Sequence, residues 1–161
     1  MLASVARQSL LQSRYQRALA ELVHSISPDY WITFAFNCPR SMQGAEDALR
    51  GWQALVDRKL AGPRWQLNSL RRTQYVGIIE KPDLNIHIHA AIFVPIRKAE
   101  FFEVAHRAWK KICGSGDLNI QLYSSIGAAT YSCKRVSAST SDRVLICDNA
   151  SRALIEKSRR L

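Results

Sequence analysis

His87 and His89 stand two apart in the run Ile86-His87-Ile88-His89-Ala90-Ala91-Ile92-Phe93-Val94. Side chains alternate along a strand, so residues i and i+2 share a face. An extended segment therefore puts His87, His89, Ala91 and Phe93 on one side. Ile86, Ile88, Ala90, Ile92 and Val94 fall on the other, which is apolar throughout and must face a core. The first side presents two imidazoles spaced to hold one metal ion. Glu80 lies seven residues before His87. If Lys81 to Asn85 close a hairpin, its carboxylate stands opposite or diagonal to the pair and completes a two-histidine, one-carboxylate set. The same spacing also suits two histidines that hydrogen-bond locally at a sheet edge. His-x-His strands occur in cupins and many hydrolases, so the pair alone does not fix the chemistry.

Tyr131 and Lys134 share a face if their segment is helical. Gly127, Ala128 and Ala129 before them permit close approach of a substrate. A tyrosine hydroxyl attacks a phosphodiester when a metal polarises the phosphate and a cation lies near. A buried core tyrosine is the alternative for so short a motif. Arg64, Trp65, Arg71 and Arg72 share one loop, and Arg97, Lys98, Lys110, Lys111 and Arg135 lie beyond it. Lys and Arg supply sequence-independent phosphate affinity, and a tryptophan stacks on an unpaired base. A solvated cationic surface accounts for most such residues taken singly.

These residues need elements to position them. Leu11, Tyr15, Ala18, Leu19, Leu22 and Ile26 form one helical stripe within residues 4–26, which Pro28 stops. Residues 30–36, YWITFAF, read as a strand. Ser41 caps a second helix with stripe Ala45, Leu49, Trp52, Val56 and Leu60, closed by Gly62-Pro63. Residues 75–80 and 86–94 are strands that pair as a hairpin. Residues 98–112 form a helix with stripe Phe101, Ala105, Ala108 and Ile112, ended by Gly114-Ser115-Gly116. A strand at 118–123 follows, then a helix from Ser124 or Ser125 to about Val136. A fifth strand spans 143–147, and a basic helix closes the chain. The interleaving with one hairpin predicts an α+β fold: a mainly antiparallel sheet of about five strands flanked by helices.

The chain has 161 residues, enough for one domain spanning 1–161 with a core of about 28–148. Its net charge of +10 makes a polyanion the first partner to consider. No stretch is long and apolar enough to span a bilayer, which argues against a membrane partner. No signal peptide is evident, since Arg7, Arg14 and Arg17 interrupt the N-terminal segment. Cys38, Cys113, Cys133 and Cys147 lie far apart, with neither zinc-site nor disulfide-framework spacing, so a reducing cytoplasm is the expected compartment.

The order WITFAFN (31–37), EKPDLNIHIHAAIFV (80–94) and YSCK (131–134) resembles the three motifs of the HUH endonuclease superfamily, Rep type. The second motif matches best, the first only through Thr33, Phe34 and Asn37. The likeness covers about residues 30–136. It implies a nuclease that initiates rolling-circle replication by nicking single-stranded or hairpin DNA at an origin. It further implies that Glu80, His87 and His89 bind Mg²⁺ or Mn²⁺. Tyr131 is then the nucleophile that forms a 5′-phosphotyrosine, and Lys134 steadies the phosphate. Tyr123 is too far upstream for the two-tyrosine arrangement, so one catalytic tyrosine is expected. The length leaves no room for a helicase, which fits a free-standing nuclease or one domain of a longer protein. A tyrosine transposase or mobilisation relaxase shares this chemistry. A non-catalytic nucleic-acid-binding α+β module is the reading from a different class, and too few short strands are present for a cupin.

Overall fold

In the computed structural model, residues 2–81, 83–124 and 136–147 are described, with side chains from Leu10 onward. Three helices, α1 (Leu2–Ser25), α2 (Met42–Ala61) and α3 (Lys98–Ile112), accompany five strands. The strands are β1 (Tyr30–Ala35), β2 (Gln74–Glu80), β3 (His87–Phe93), β4 (Asp117–Leu122) and β5 (Val144–Ile146). They form one antiparallel sheet in the order β4-β1-β3-β2-β5. The protein is therefore α+β, as its periodicities require. The helix expected after Ser124 and the basic terminal helix fall on residues outside those described.

β3 lies in the middle of the sheet, and its composition explains why. Ile86, Ile88, Ala90, Ile92 and Val94 are all buried on one face, and Ala91 is buried on the other. The α2 and α3 helices cover the first face. Phe34 meets Trp52 and Trp109 edge-on, at centroid distances of 4.9 and 5.0 Å. The Trp52 indole donates to Ala105 O at 3.0 Å, tying α2 to α3 inside the core. Ser41 caps α2 by accepting from the Gly44 amide at 3.0 Å. Gly62, at φ 88°, ends that helix in a conformation open to glycine.

The α1 helix lies on the opposite face. Its Tyr15, Ala18, Leu19 and Leu22 line a cavity of about 320 Å³ with Val144 and Ile146. The ladder places those two on the histidine side through Ile78 and Val76. The expected α1 stripe holds only in part. Leu19, Ala20, Val23 and Ile26 are buried, but Leu10 and Leu11 are more than half exposed. At 24 residues the helix extends about 36 Å, longer than strands of six or seven residues at about 20 Å. No helix among the described residues is long and apolar enough to cross a membrane.

The segment between α2 and β2 holds two short 3-10 turns, Trp65–Leu67 and Ser69–Arg71. It is anchored by Asp57, a fully buried carboxylate on α2. Asp57 accepts from the Thr73 amide and hydroxyl, each at 2.8 Å, and from Arg72 Nε at 3.2 Å. Burial pushes its carboxyl above the usual carboxylate range, and the Thr73 and Arg72 bonds pull back only in part. The folded chain thus holds the Asp57 proton more tightly than the unfolded chain does. This group's contribution to stability rises as pH falls through its raised folded value and levels off below about 3.9, the unfolded value. Urea denaturation of Asp57→Asn against wild type from pH 4 to 7 should show that increment flattened. Arg72→Ala, which strips a buried carboxylate of its cation, should cost about 3 kcal/mol at pH 7 and less at pH 4.

Candidate functional site

The hairpin pairing sets Glu80 directly across from His87, with Ile78 across from His89. Glu80 therefore reaches His89 along the diagonal, its Oε2 standing 3.4 Å from His89 Nε2. That separation is long for a hydrogen bond. It is close to the spacing of two ligands at right angles around one small ion, about 3 Å for donors 2.1 Å from the centre.

Each imidazole is oriented through its other nitrogen. His87 Nδ1 donates to Asn85 O at 2.6 Å, which leaves Nε2 as the nitrogen with a lone pair. His89 Nδ1 lies 3.0 Å from Thr33 Oγ1 on β1, the residue paired with it across the ladder. Thr33 accepts when Nδ1 carries the proton, and Nε2 is then the nitrogen turned toward Glu80. Metal-binding histidines are held in this way, one nitrogen to a carbonyl or hydroxyl and the other to the ion. Trp31 lies nearly parallel to His89 at 6.3 Å, and Tyr123 adjoins Trp31 at 6.4 Å.

The donor set of two imidazoles and a carboxylate suits a divalent cation of intermediate or hard character. Among the described residues, no three His, Cys, Asp or Glu side chains are already drawn around one point. Glu80 and His89 touch, while His87 is hydrogen-bonded to its own hairpin turn. A rotation of the half-exposed His87 ring is what a three-ligand set requires.

The surroundings of this face are asymmetric. Toward β5 lie Ile78 and Val76, both buried. Toward β4 lie Asp117, Asn119 and Gln121, which the register puts on the histidine side and which are exposed. The histidines thus stand at the border between a covered apolar half and an open polar half of the sheet.

Not every candidate residue gathers here. Arg64, Trp65, Arg71 and Arg72 precede Gln74, which pairs with Phe93 at the end of the hairpin opposite Glu80. The length of β2 puts about 20 Å between the two ends. Arg64 and Arg71 are exposed, whereas Arg72 pairs with Asp57 and lies over the Trp65 ring at 4.7 Å. Tyr131, Lys134 and Arg135 lie outside the described residues. Thr33 and Trp31 had no assigned role in the sequence beyond the loose first motif. Their parity along β1 marks them as one face, but nothing local names β3 as the neighbouring strand. Comparisons against protein-family models, curated proteins and solved structures found no match for this chain.

Proposed function

We propose that this protein is a metal-dependent single-strand DNA endonuclease and strand transferase of HUH type, which nicks a replication origin and initiates rolling-circle replication. The observation that carries the reading is the Glu80–His89 contact beside His87, with both imidazoles backed by hydrogen bonds on the open face of the sheet. The net charge of +10 and the exposed Arg64 and Arg71 suit a polyanionic substrate.

His87, His89 and Glu80 would hold Mg²⁺ or Mn²⁺, which withdraws electron density from the scissile phosphate. Asn85 and Thr33 keep the two imidazoles aimed. The Tyr131 hydroxyl attacks phosphorus, its oxygen forms the new ester, and the bond to the 3′ oxygen breaks. That oxygen leaves as a hydroxyl after taking a proton, and the DNA 5′ end stays on Tyr131. Lys134 neutralises charge on the phosphate. The step is transesterification, so the energy of the phosphodiester is kept and a 3′-hydroxyl strand can be rejoined.

The test is incubation with pooled single-stranded and hairpin oligonucleotides and Mn²⁺. A denaturation-resistant protein–DNA band is expected, with the nucleotide on Tyr131 by mass spectrometry. Tyr131→Phe should lose the band while binding DNA normally, and His87→Ala or His89→Ala should lose cleavage. Binding without cleavage, or cleavage in excess chelator, overturns the reading. An adduct confined to transposon-end or transfer-origin DNA would move it to a transposase or relaxase.

Two finer outcomes follow. Thr33→Val removes the support of His89 without touching a ligand, so Mn²⁺ affinity measured by calorimetry should fall about 10- to 100-fold. Arg64→Ala with Arg71→Ala should reduce the slope of log affinity against log salt by about 0.7 for each phosphate no longer neutralised. Arg72 is left intact there because Asp57 depends on it.

A further inference from the structure

Between α2 and β2 the chain displays two side chains that phosphate affinity does not explain. Leu67 and Leu70 are 85% and 83% exposed. Each belongs to a 3-10 turn closed by backbone bonds, Leu67 N donating to Arg64 O at 3.0 Å and Arg71 N to Asn68 O at 3.2 Å. Just beyond them the backbone is tied to α2. Arg72 pairs with Asp57 at 3.2 Å, and the buried Gln53 donates from Nε2 to Thr73 O at 2.7 Å. The leucines therefore stand out from hydrogen-bonded turns on an anchored segment.

Their electrostatic setting is one-sided. The chain has no Asp or Glu between Asp57 and Glu80, but it has Arg58, Lys59, Arg64, Arg71 and Arg72 there. Arg64 and Arg71, both exposed, bracket the two leucines. Leu84, 84% exposed at the hairpin turn, has Asp83 beside it instead. The Arg72 guanidinium lies over the half-buried Trp65 ring at 4.7 Å, so one face of the indole is already taken. The open apolar surface that this segment offers to an anionic partner is thus mainly leucine.

A partner that sets a flat apolar surface between two lines of negative charge is the open end of a DNA stem. Inside a duplex the base faces are stacked, and an apolar wedge enters only by separating them. Where a stem parts into two single strands, the last base pair already shows one bare face, and a phosphate strand leaves on each side. A lipid surface also joins anions to an apolar interior. It is met by an amphipathic helix several turns long, and 3-10 turns of three residues form no such face. We propose that Leu67 and Leu70 pack on the terminal base pair at a junction of double- and single-stranded DNA, with Arg64 and Arg71 on the two diverging phosphate strands. This inference rests on the DNA reading above and narrows its substrate to a stem that opens into single strands. The arginines supply attraction to any phosphate strand, and the leucines select the junction.

The experiment measures binding by fluorescence anisotropy without divalent metal, so that cleavage plays no part. Three DNA probes of equal length are compared: a hairpin whose stem opens into two single-stranded arms, an unstructured single strand, and a duplex closed by loops at both ends. Wild type should prefer the forked hairpin. Leu67→Gln with Leu70→Gln, both at exposed positions, should lower affinity for the fork about tenfold, to the level of the single strand. Affinity for the single strand itself should stay within twofold of wild type. No preference for the fork, or a preference that the double variant keeps, overturns this inference and leaves the nuclease reading standing. Failure to bind any of the three probes removes the DNA reading and this inference with it. Leucine-dependent sedimentation with phosphatidylserine vesicles, in a protein that shows no preference for the fork, assigns the leucines to a membrane surface and overturns the proposal.

Discussion

The burial of one whole face of β3 is the constraint on which the rest depends. Five apolar residues in alternation must meet α2 and α3, and this fixes the register of the hairpin and of β1. A slip of one residue would send Ile88 and Ile92 to the other side and bring His87 and His89 into the core. The side of the sheet on which the imidazoles stand is thus set by groups they never touch. The hydrophobic term from burying three isoleucines outweighs any single hydrogen bond made by the histidines.

Glu80 is the member of the site whose position follows most directly from this register. A carboxylate beside an imidazole in a dry interior would carry a heavy desolvation cost. Here both side chains keep partial access to water, at 13% and 22% exposure, on the margin of the covered half of the sheet. That margin gives the carboxylate both contact with water and a fixed position.

Much of this arrangement is legible in the chain itself. The α2 stripe from Ala45 to Leu60 follows from period and the Ser41 cap, and α3 follows from period and the glycines after it. The hairpin and the Glu80 placement follow from a short turn between two β-rich runs. Less can be read where the answer depends on which distant element becomes the neighbour. Thr33 reaches His89 only because β1 docks beside β3. Arg72 resembles a ligand-binding arginine in sequence, and only the fold reveals the buried Asp57 that engages it. The exposure of Leu10 and Leu11 is not written in the helical period, which marks a stripe but not what covers it. The fold class is settled; the nuclease chemistry, the metal and the DNA partner rest on the proposal above.

The strand order also bears on how the molecule assembles in time. Of the four pairings in the sheet, only β2 with β3 joins strands adjacent in sequence. The β1 strand finds its partners across long loops, and Thr33 meets His89 from 56 residues away. Closing such loops costs entropy before contacts offset it, which makes non-local pairing the slow part of folding. Glu80, His87 and His89 all belong to the local hairpin and can come together early. The hydroxyl that orients His89 arrives only when β1 docks, so the donors precede their alignment along the folding route.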